Sequence, residues 1–140
     1  MLLKFDQINY LAVAVAALGA FFLGALWYTA LFGKLWLSLH GFSEEKIKEL
    51  KARVLPPLFF GGMILAQLLA ALAVALLVVN LNPVEAFAGV LLGSCLWLLV
   101  AAIAFTCQLA SDRHYGIFAI DTAYHFTLLV FMGVLLTLWR

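Results

Sequence analysis

The sequence predicts an all-α, polytopic membrane protein in which four transmembrane helices form one bundle. Two observations predict this fold. Of the 140 residues, 67% are hydrophobic and only 11% are charged, whereas a soluble domain has about 25% charged residues. Four apolar runs of about 23–25 residues each also exceed the roughly 20 residues with which a helix crosses the hydrocarbon core. The runs are 8–32, 57–79, 84–107 and 117–139.

These runs occupy most of residues 1–140, which we therefore predict to form a single transmembrane domain without a soluble catalytic domain. The first run is too long for the core of a signal peptide. It leads into Trp27, Tyr28 and Lys34 rather than into a small-residue cleavage site, so we expect a retained helix. The formal net charge of +1 gives no reason to expect a nucleic-acid partner.

The polar stretch 33–56 between the first two runs contains the signals of a short amphipathic helix. Ser43 suits an N-cap, and the acidic pair at 44–45 suits a first helical turn. Ile47, Leu50 and Val54 then recur at a spacing of three and four residues. We predict a helix over 43–55 that lies at the membrane surface, with docking of a partner protein as the alternative role.

The remaining connections are short. Residues 80–83 read Asn-Leu-Asn-Pro, which predicts a tight turn whose Pro83 opens the third span. Residues 108–116 connect the third span to the fourth.

Basic residues orient the predicted bundle. The stretch 33–56 and the loop 108–116 together hold six of them, whereas the two termini hold Lys4 and Arg140. We predict a multi-pass protein of the cell inner (plasma) membrane. Because the loops richer in lysine and arginine stay in the cytoplasm, both termini are expected on the outer side of this membrane. The six are Lys34, Lys46, Lys48, Lys51, Arg53 and Arg113.

Small residues indicate which helix faces approach closely, either inside the bundle or at a homo-oligomer interface. The first span has alanine or glycine at every fourth position from 12 to 24, and the third span has a GxxxG motif at Gly89 and Gly93. The second span has the stripe Gly62, Ala66 and Ala70.

Polar side chains gather at the predicted cytoplasmic ends of the spans, and Asp121 is the strongest functional candidate among them. It lies about one turn inside the fourth span, with Tyr124 and His125 three and four residues later on the same helix face. An ionisable group inside a membrane indicates a proton relay or a ligand site. The structural alternative is an ion pair between Asp121 and Lys34 or Arg113 at the rim of the bundle. The predicted ligand-binding set is Asp121, His125, Tyr124, Lys34, Tyr28, Trp27 and Gln108.

Other polar and aromatic residues of the spans have structural interpretations. His125 is expected to be neutral and bonded to Asp121 or to a backbone carbonyl, because no spacing of ligands favours a metal or a haem. We therefore predict no metal and no cofactor. Gln67, near the centre of the second span, is expected to make an interhelical hydrogen bond. Aromatic residues near span ends are interpreted first as interface anchors: Trp27, Trp36, Trp139, Tyr10 and Tyr28.

Two motifs resemble the signatures of a bacterial membrane family catalogued as domain of unknown function 1761. A W-Y pair followed by F-G-K-x-W matches Trp27, Tyr28, Phe32, Gly33, Lys34 and Trp36. An acidic residue and a Y-H pair followed by M-G match Asp121, Tyr124, His125, Met132 and Gly133. The resemblance implies four spans and no assigned activity. The family often has Ser-Pro after the W-Y pair, whereas this chain has Thr29-Ala30, so no proline kink is expected there.

Three functions remain open at this point. The first is a small stand-alone membrane protein, expected to be oligomeric, whose polar cytoplasmic end binds a small ligand or ion. The second is a non-catalytic accessory subunit that packs against other membrane subunits and the lipid bilayer. The third is a membrane enzyme that uses Asp121 and His125. The chain has no recognisable nucleophile or metal motif, so the sequence favours a non-enzymatic role.

Overall fold

The structure is a computed structural model that describes residues 4–53 and 56–140. The predicted all-α fold is confirmed, because every regular element in these residues is helical. A single 3₁₀ turn, Phe5–Gln7, precedes the first long helix. The α-helices are α1 Tyr10–Leu26, α2 Gly33–Leu39, α3 Glu44–Arg53, α4 Pro56–Leu81, α5 Ala86–Leu109 and α6 Tyr115–Leu138, and a π-helical turn, Trp27–Leu31, extends α1.

Four of these helices are long and apolar enough to cross a membrane, as the sequence predicts. They are α1 together with its π-helical turn, α4, α5 and α6. The third span begins at Ala86 rather than at Pro83, because Glu85 has the extended backbone of an N-cap. The turn before it requires Asn82 to adopt a positive φ of 54°, which asparagine tolerates better than most residues.

Helix α6 is the centre of the bundle, since it packs against α1, α4 and α5. Helices α1 and α4 also pack against each other, so these two and α6 form a three-helix core. Helix α5 lies outside this core, and its extensive packing is against α6 alone. The three-helix core therefore has one further span attached to its central helix.

Small side chains are buried on both α1 and α4, which pack against each other. Ala12, Ala16 and Ala20 are fully buried on α1, and Ala71 and Val78 are buried on α4. Short side chains allow the two backbones to approach closely, which is the main source of helix association where lipid removes the hydrophobic driving force. The stripe predicted on the first span is thus an internal contact.

The GxxxG motif of α5 is also an internal contact. A Cβ atom on Gly89 would lie 2.6 Å from the carbonyl oxygen of Gly133, and one on Gly93 would lie 2.5 Å from that of Leu129. Both neighbours are backbone atoms of α6, which cannot relieve the clash by changing rotamer as a side chain could. The motif therefore sets the close approach of α5 to α6. Because its two glycines are covered by α6, they are an internal contact of the bundle.

The small-residue stripe predicted on α4 is wrong in its first half. Gly62 and Ala66 are exposed, and a Cβ on Gly62 would meet nothing within 4 Å. The buried residues of α4 begin only at Ala71. The first half of α4 therefore presents these small residues outward, and side chains of this half and of the end of the first span border a cavity near Tyr28.

The predicted amphipathic helix is confirmed over Glu44–Arg53. The Ser43 hydroxyl accepts a hydrogen bond from the backbone N–H of Lys46 at 3.2 Å, which is the expected N-cap bond. Glu49 forms ion pairs with Lys46 and Arg53. Val54 and Leu55, which the prediction included, lie outside the described residues.

Candidate ligand-binding site at Asp121

A π-helical turn at the end of α1 places the first group of site residues. Its defining bond runs from the backbone N–H of Phe32 to the carbonyl of Trp27 at 2.9 Å, a step of five residues. The chain then starts α2 at Gly33, where a Cβ would lie 2.5 Å from the carbonyl oxygen of Tyr28. Glycine is therefore needed for the close approach of backbone to backbone. No proline is required for this irregularity, which the sequence did not predict.

Tyr28 and Trp36, from the two sides of this junction, hold the Asp121 carboxylate. The Tyr28 hydroxyl donates to Oδ1 at 2.8 Å, and the Trp36 indole N–H donates to the same oxygen at 3.0 Å. The two donor rings also pack edge to face, with centroids 5.8 Å apart. Two donors on one oxygen fix the position of the Asp121 side chain.

The ion pair predicted between Asp121 and Lys34 or Arg113 does not form. Among the described residues, no lysine, arginine or histidine nitrogen lies within 4.0 Å of the Asp121 carboxylate. Lys34 is exposed, and its ammonium group keeps its hydration instead of paying the desolvation cost of an inward position. Neutral donors within hydrogen-bonding distance take the place of the cation.

Two more indoles donate hydrogen bonds to backbone carbonyls in the helical turn around Asp121. Trp27 donates to the carbonyl of Ile120 at 3.2 Å, and Trp97 of α5 donates to the carbonyl of Thr122 at 2.8 Å. Each of these carbonyls has a second lone pair available besides the one used within the helix. Three successive residues of α6 therefore each accept an indole N–H, and these bonds come from the π-helical turn after α1, from α2 and from α5.

The prediction that Trp27, Tyr28 and Trp36 serve as interface anchors is therefore corrected. Their polar atoms all bond to α6 inside the protein. Tyr10 and Trp139 have exposed side chains, and the anchor interpretation remains a prediction for these two.

Tyr124 lies deeper in the core than Asp121. Its hydroxyl accepts a hydrogen bond from the Gln67 amide at 3.3 Å, which confirms the interhelical bond predicted for Gln67. The same hydroxyl lies 3.5 Å from the carbonyl of Ala20, and a Cβ on Gly24 would approach it to 2.8 Å. Tyr124 therefore connects α1, α4 and α6 and is buried as part of the core.

A polar pocket of about 150 Å³ opens on the other side of Asp121, between α5 and α6. His125 lines this pocket, and its Nδ1 atom is buried without a hydrogen-bond partner among residues 4–53 and 56–140. Gln108 is buried and donates to the carbonyl of Arg113 at 2.6 Å. Both hydrogen bonds to Asp121 end on Oδ1, so the second carboxylate oxygen has no donor from the described part of the chain. The pocket is lined by Ala104, Cys107, Gln108, Ser111, Arg113, Ile117, Phe118, Asp121, Thr122 and His125.

The structure divides the predicted ligand-binding set into three groups. Asp121, His125 and Gln108 line the polar pocket. Trp27, Tyr28 and Tyr124 are internal contacts on the opposite side of α6, and Tyr28 connects the two regions through Asp121. Lys34 belongs to neither region. The single helix face predicted for Asp121, Tyr124 and His125 thus separates into a core side and a pocket side.

Sequence reasoning missed two site residues. Trp36 was interpreted as an anchor although it lies in the F-G-K-x-W motif that also places Tyr28. Trp97 carried one usable signal, since it lies well inside its span rather than at the level where tryptophan normally anchors. A tryptophan at that depth needs an acceptor for its N–H, and here the acceptor is α6.

Carboxylate, imidazole, amide and hydroxyl groups in one small pocket can bind a small polar molecule or an ion. In the described ranges, no group of three or more His, Cys, Asp or Glu side chains could hold a metal ion. Binding through hydrogen bonds and charge is therefore the chemistry that the described side chains offer.

Comparisons with known proteins identify the family. A search of the curated proteins and a search of the solved structures each found no match. One family model matches residues 11–137, and its description is "Protein of unknown function (DUF1761)". The two signatures noted in the sequence meet in space within this match, because Tyr28 and Trp36 of the first bond to Asp121 of the second. The chain belongs to the DUF1761 family.

Proposed function

We propose that this chain is an integral protein of the bacterial inner (plasma) membrane that binds a small polar ligand or ion at Asp121. One observation carries the proposal. A carboxylate inside a predicted span is held by two neutral donors, and the same residue lines a polar pocket. Ionisable groups within a span are costly and are characteristic of ligand and ion pathways.

The absence of a cationic partner separates this arrangement from a structural ion pair. A carboxylate that only joined two helices would be expected to meet a lysine or arginine, because the paired charges offset the desolvation cost. Here the closest donors in the described chain are a phenol and an indole. They fix the orientation of Asp121 through one oxygen and bring no cation to it, which leaves the other oxygen available to a ligand.

The size of the pocket limits the ligand. A volume of about 150 Å³ corresponds to roughly five water molecules at about 30 Å³ each. Sites for drug-sized molecules have about 300–1,000 Å³. The proposed ligand is therefore a small ion, with or without water, or a molecule of a few non-hydrogen atoms.

The orientation of the protein is part of the proposal. The end that holds Asp121 also carries the basic stretch around α3, and this end is assigned to the cytoplasm. The opposite end brings the C-terminus to the α4–α5 turn, where Arg140 bonds to Asn82. In intact cells, an impermeant thiol reagent should label a cysteine introduced at Asn82 and not one introduced at Ser43. Labelling at Ser43 alone would reverse the orientation.

Ligand binding is tested by thermal unfolding of the purified protein in neutral detergent. The panel comprises Li⁺, Na⁺, K⁺, ammonium, chloride, acetate and phosphate at matched ionic strength. A bound ligand raises the melting temperature in a saturable way. We expect at least one member of the panel to stabilise the wild-type protein and to lose this effect in Asp121→Asn, which keeps the acceptor oxygen and removes the charge.

The matched control is Asp112→Asn. Asp112 is an exposed residue in the loop between α5 and α6, so this variant makes the same charge change near the pocket but outside it. The control should respond to the panel as the wild type does. Equal stabilisation of wild type and Asp121→Asn by every effective ion would contradict a ligand site at Asp121.

A second candidate function is a non-catalytic subunit of a larger membrane complex. The outward side of α5 supports it, because large apolar side chains there are exposed while the opposite side is fixed on α6. This surface suits either lipid or another helix. Purification in mild detergent distinguishes the two: stoichiometric co-purifying subunits would favour this candidate, whereas a single polypeptide, alone or as a homo-oligomer, would favour a stand-alone binding protein.

A further inference from the structure

An apolar groove lies beside the first half of α4, at the end of the bundle that holds Asp121. Two adjoining cavities of about 400 and 540 Å³ share the side chains of Tyr28, Trp36, Leu37, Phe59 and Phe60. Each cavity alone falls within the range of about 300–1,000 Å³ that is typical of ligand sites. We call this space the apolar groove. No described residue lines both this groove and the polar pocket.

The polar atoms that line the groove are already engaged inside the protein. The Tyr28 hydroxyl and the Trp36 indole N–H both donate to Asp121. The Thr29 hydroxyl donates to the carbonyl of Ala25 at 2.6 Å. Apart from Lys51, the described side chains of the groove therefore present hydrocarbon and aromatic surface, with their hydrogen-bonding groups already paired, which suits an alkyl chain rather than a polar ligand.

In the described part of the chain, one charged side chain lines the groove, that of Lys51. Lys51 of α3 lines the larger cavity beside Ile47 and Leu50, and none of the described acidic residues lines either cavity. Lys48 precedes Lys51 by three residues on the same helix, and neither has an ion-pair partner within 4.0 Å in the described chain. Like charges at this spacing repel each other weakly, and an anion between them offsets the repulsion.

We propose that the apolar groove holds one acyl chain of an anionic glycerophospholipid, whose phosphate lies beside Lys51. The chemistry of the groove matches this molecule at both ends, with an apolar channel for the chain and unpaired lysines for the headgroup. The inference uses the membrane location proposed above but not the ligand at Asp121, so either one stands without the other. A lipid held here packs α3 against the body of the protein through Ile47 and Leu50.

Native mass spectrometry tests the proposal. The protein in neutral detergent is mixed with equal amounts of dioleoyl-phosphatidylglycerol and dioleoyl-phosphatidylcholine, which share their acyl chains and differ in headgroup charge. We expect one phosphatidylglycerol to be retained in preference. Lys51→Gln should reduce this preference about fivefold, the factor that corresponds to about 1 kcal/mol for one lysine near an anionic lipid. Lys46→Gln is the control, because Lys46 is exposed and pairs with Glu49 on the same helix.

A second pair of variants tests the acyl chain. Ala25→Phe places a ring in the groove and should abolish retention of both lipids, whereas Ala102→Phe makes the same change at an exposed position of α5 and should leave retention unchanged. Equal retention of the two lipids, an unchanged preference in Lys51→Gln, or a lipid-free dimer would overturn the proposal. Lys51 is at the surface, so the headgroup result stands even if Ala25→Phe fails to fold.

Discussion

Removal of the Tyr28 hydroxyl tests how Asp121 is held. The hydroxyl donates to Oδ1 at 2.8 Å, and a hydrogen bond to a charged group contributes about 1.5–3 kcal/mol. We expect Tyr28→Phe to lower the free energy of unfolding by about this amount. Tyr10→Phe is the matched control, because the Tyr10 hydroxyl bonds to the carbonyl of Phe5 at an exposed position and its loss should cost less than about 1 kcal/mol.

A double-mutant cycle with Asp121→Asn isolates the bond. The amide oxygen of asparagine still accepts from Tyr28, but a neutral hydrogen bond contributes only about 0.5–1.5 kcal/mol. Tyr28→Phe should therefore cost about 1 kcal/mol less in the Asp121→Asn background than in the wild type. Lys34→Ala should change stability by less than about 0.5 kcal/mol in either background, because Lys34 is exposed and makes no ion pair with Asp121.

Reversible unfolding in mixed micelles of dodecylmaltoside and SDS supplies the free energies, with helix content followed by far-ultraviolet circular dichroism. The cycles give a coupling free energy for Asp121 with Tyr28 and for Asp121 with Lys34. If the two values were equal, the lysine would pair with the carboxylate. Equal losses in Tyr28→Phe and Tyr10→Phe would show that the phenol does not hold Asp121. Either result would refute the geometry described above.

Two further predictions concern the attachment of α5. Gly89→Ala should destabilise the protein by about 1–3 kcal/mol, because its Cβ would overlap the backbone of Gly133, whereas Gly62→Ala should leave stability unchanged or raise it by up to about 1 kcal/mol. Both are measured by the same micellar unfolding, and equal effects would contradict the close α5–α6 contact. Trp97→Phe should cost at least about 1 kcal/mol through loss of its bond to α6, while Trp139→Phe, at a side chain that is 42% exposed, should cost less than half of that.

The number and type of the helices could be predicted because length and apolarity decide them locally. The four spans, the helix that follows Ser43 and the interhelical bond of Gln67 all depend on composition, caps or depth, which the sequence states directly. Depth is encoded by position along a span. The polar residues around Asp121 were for this reason placed together correctly at one end of the bundle.

The side of each helix that faces the core could not be predicted in the same way. A span is apolar on every side, so no amphipathic stripe distinguishes the core side from the outer side. Gly62 and Ala66 illustrate this, because small residues permit close packing without requiring it. The hydrogen-bond partners of Asp121 depend on a π-helical turn and on a second helix that starts at Gly33. Neither feature is indicated by composition, so the sequence favoured an ion pair with Lys34.

The most direct test of the central claim is the carboxylate signal of Asp121 itself. In protein labelled with ¹³C-aspartate, Asp121→Asn identifies the Cγ resonance by its disappearance, and the resonance is followed as the ion that stabilises the wild type most is titrated. We predict a saturable shift of the Asp121 signal over the concentration range in which the melting temperature rises, with the Asp112 signal unmoved. Stabilisation of the protein without any shift at Asp121 would contradict the assignment of this carboxylate as the binding centre.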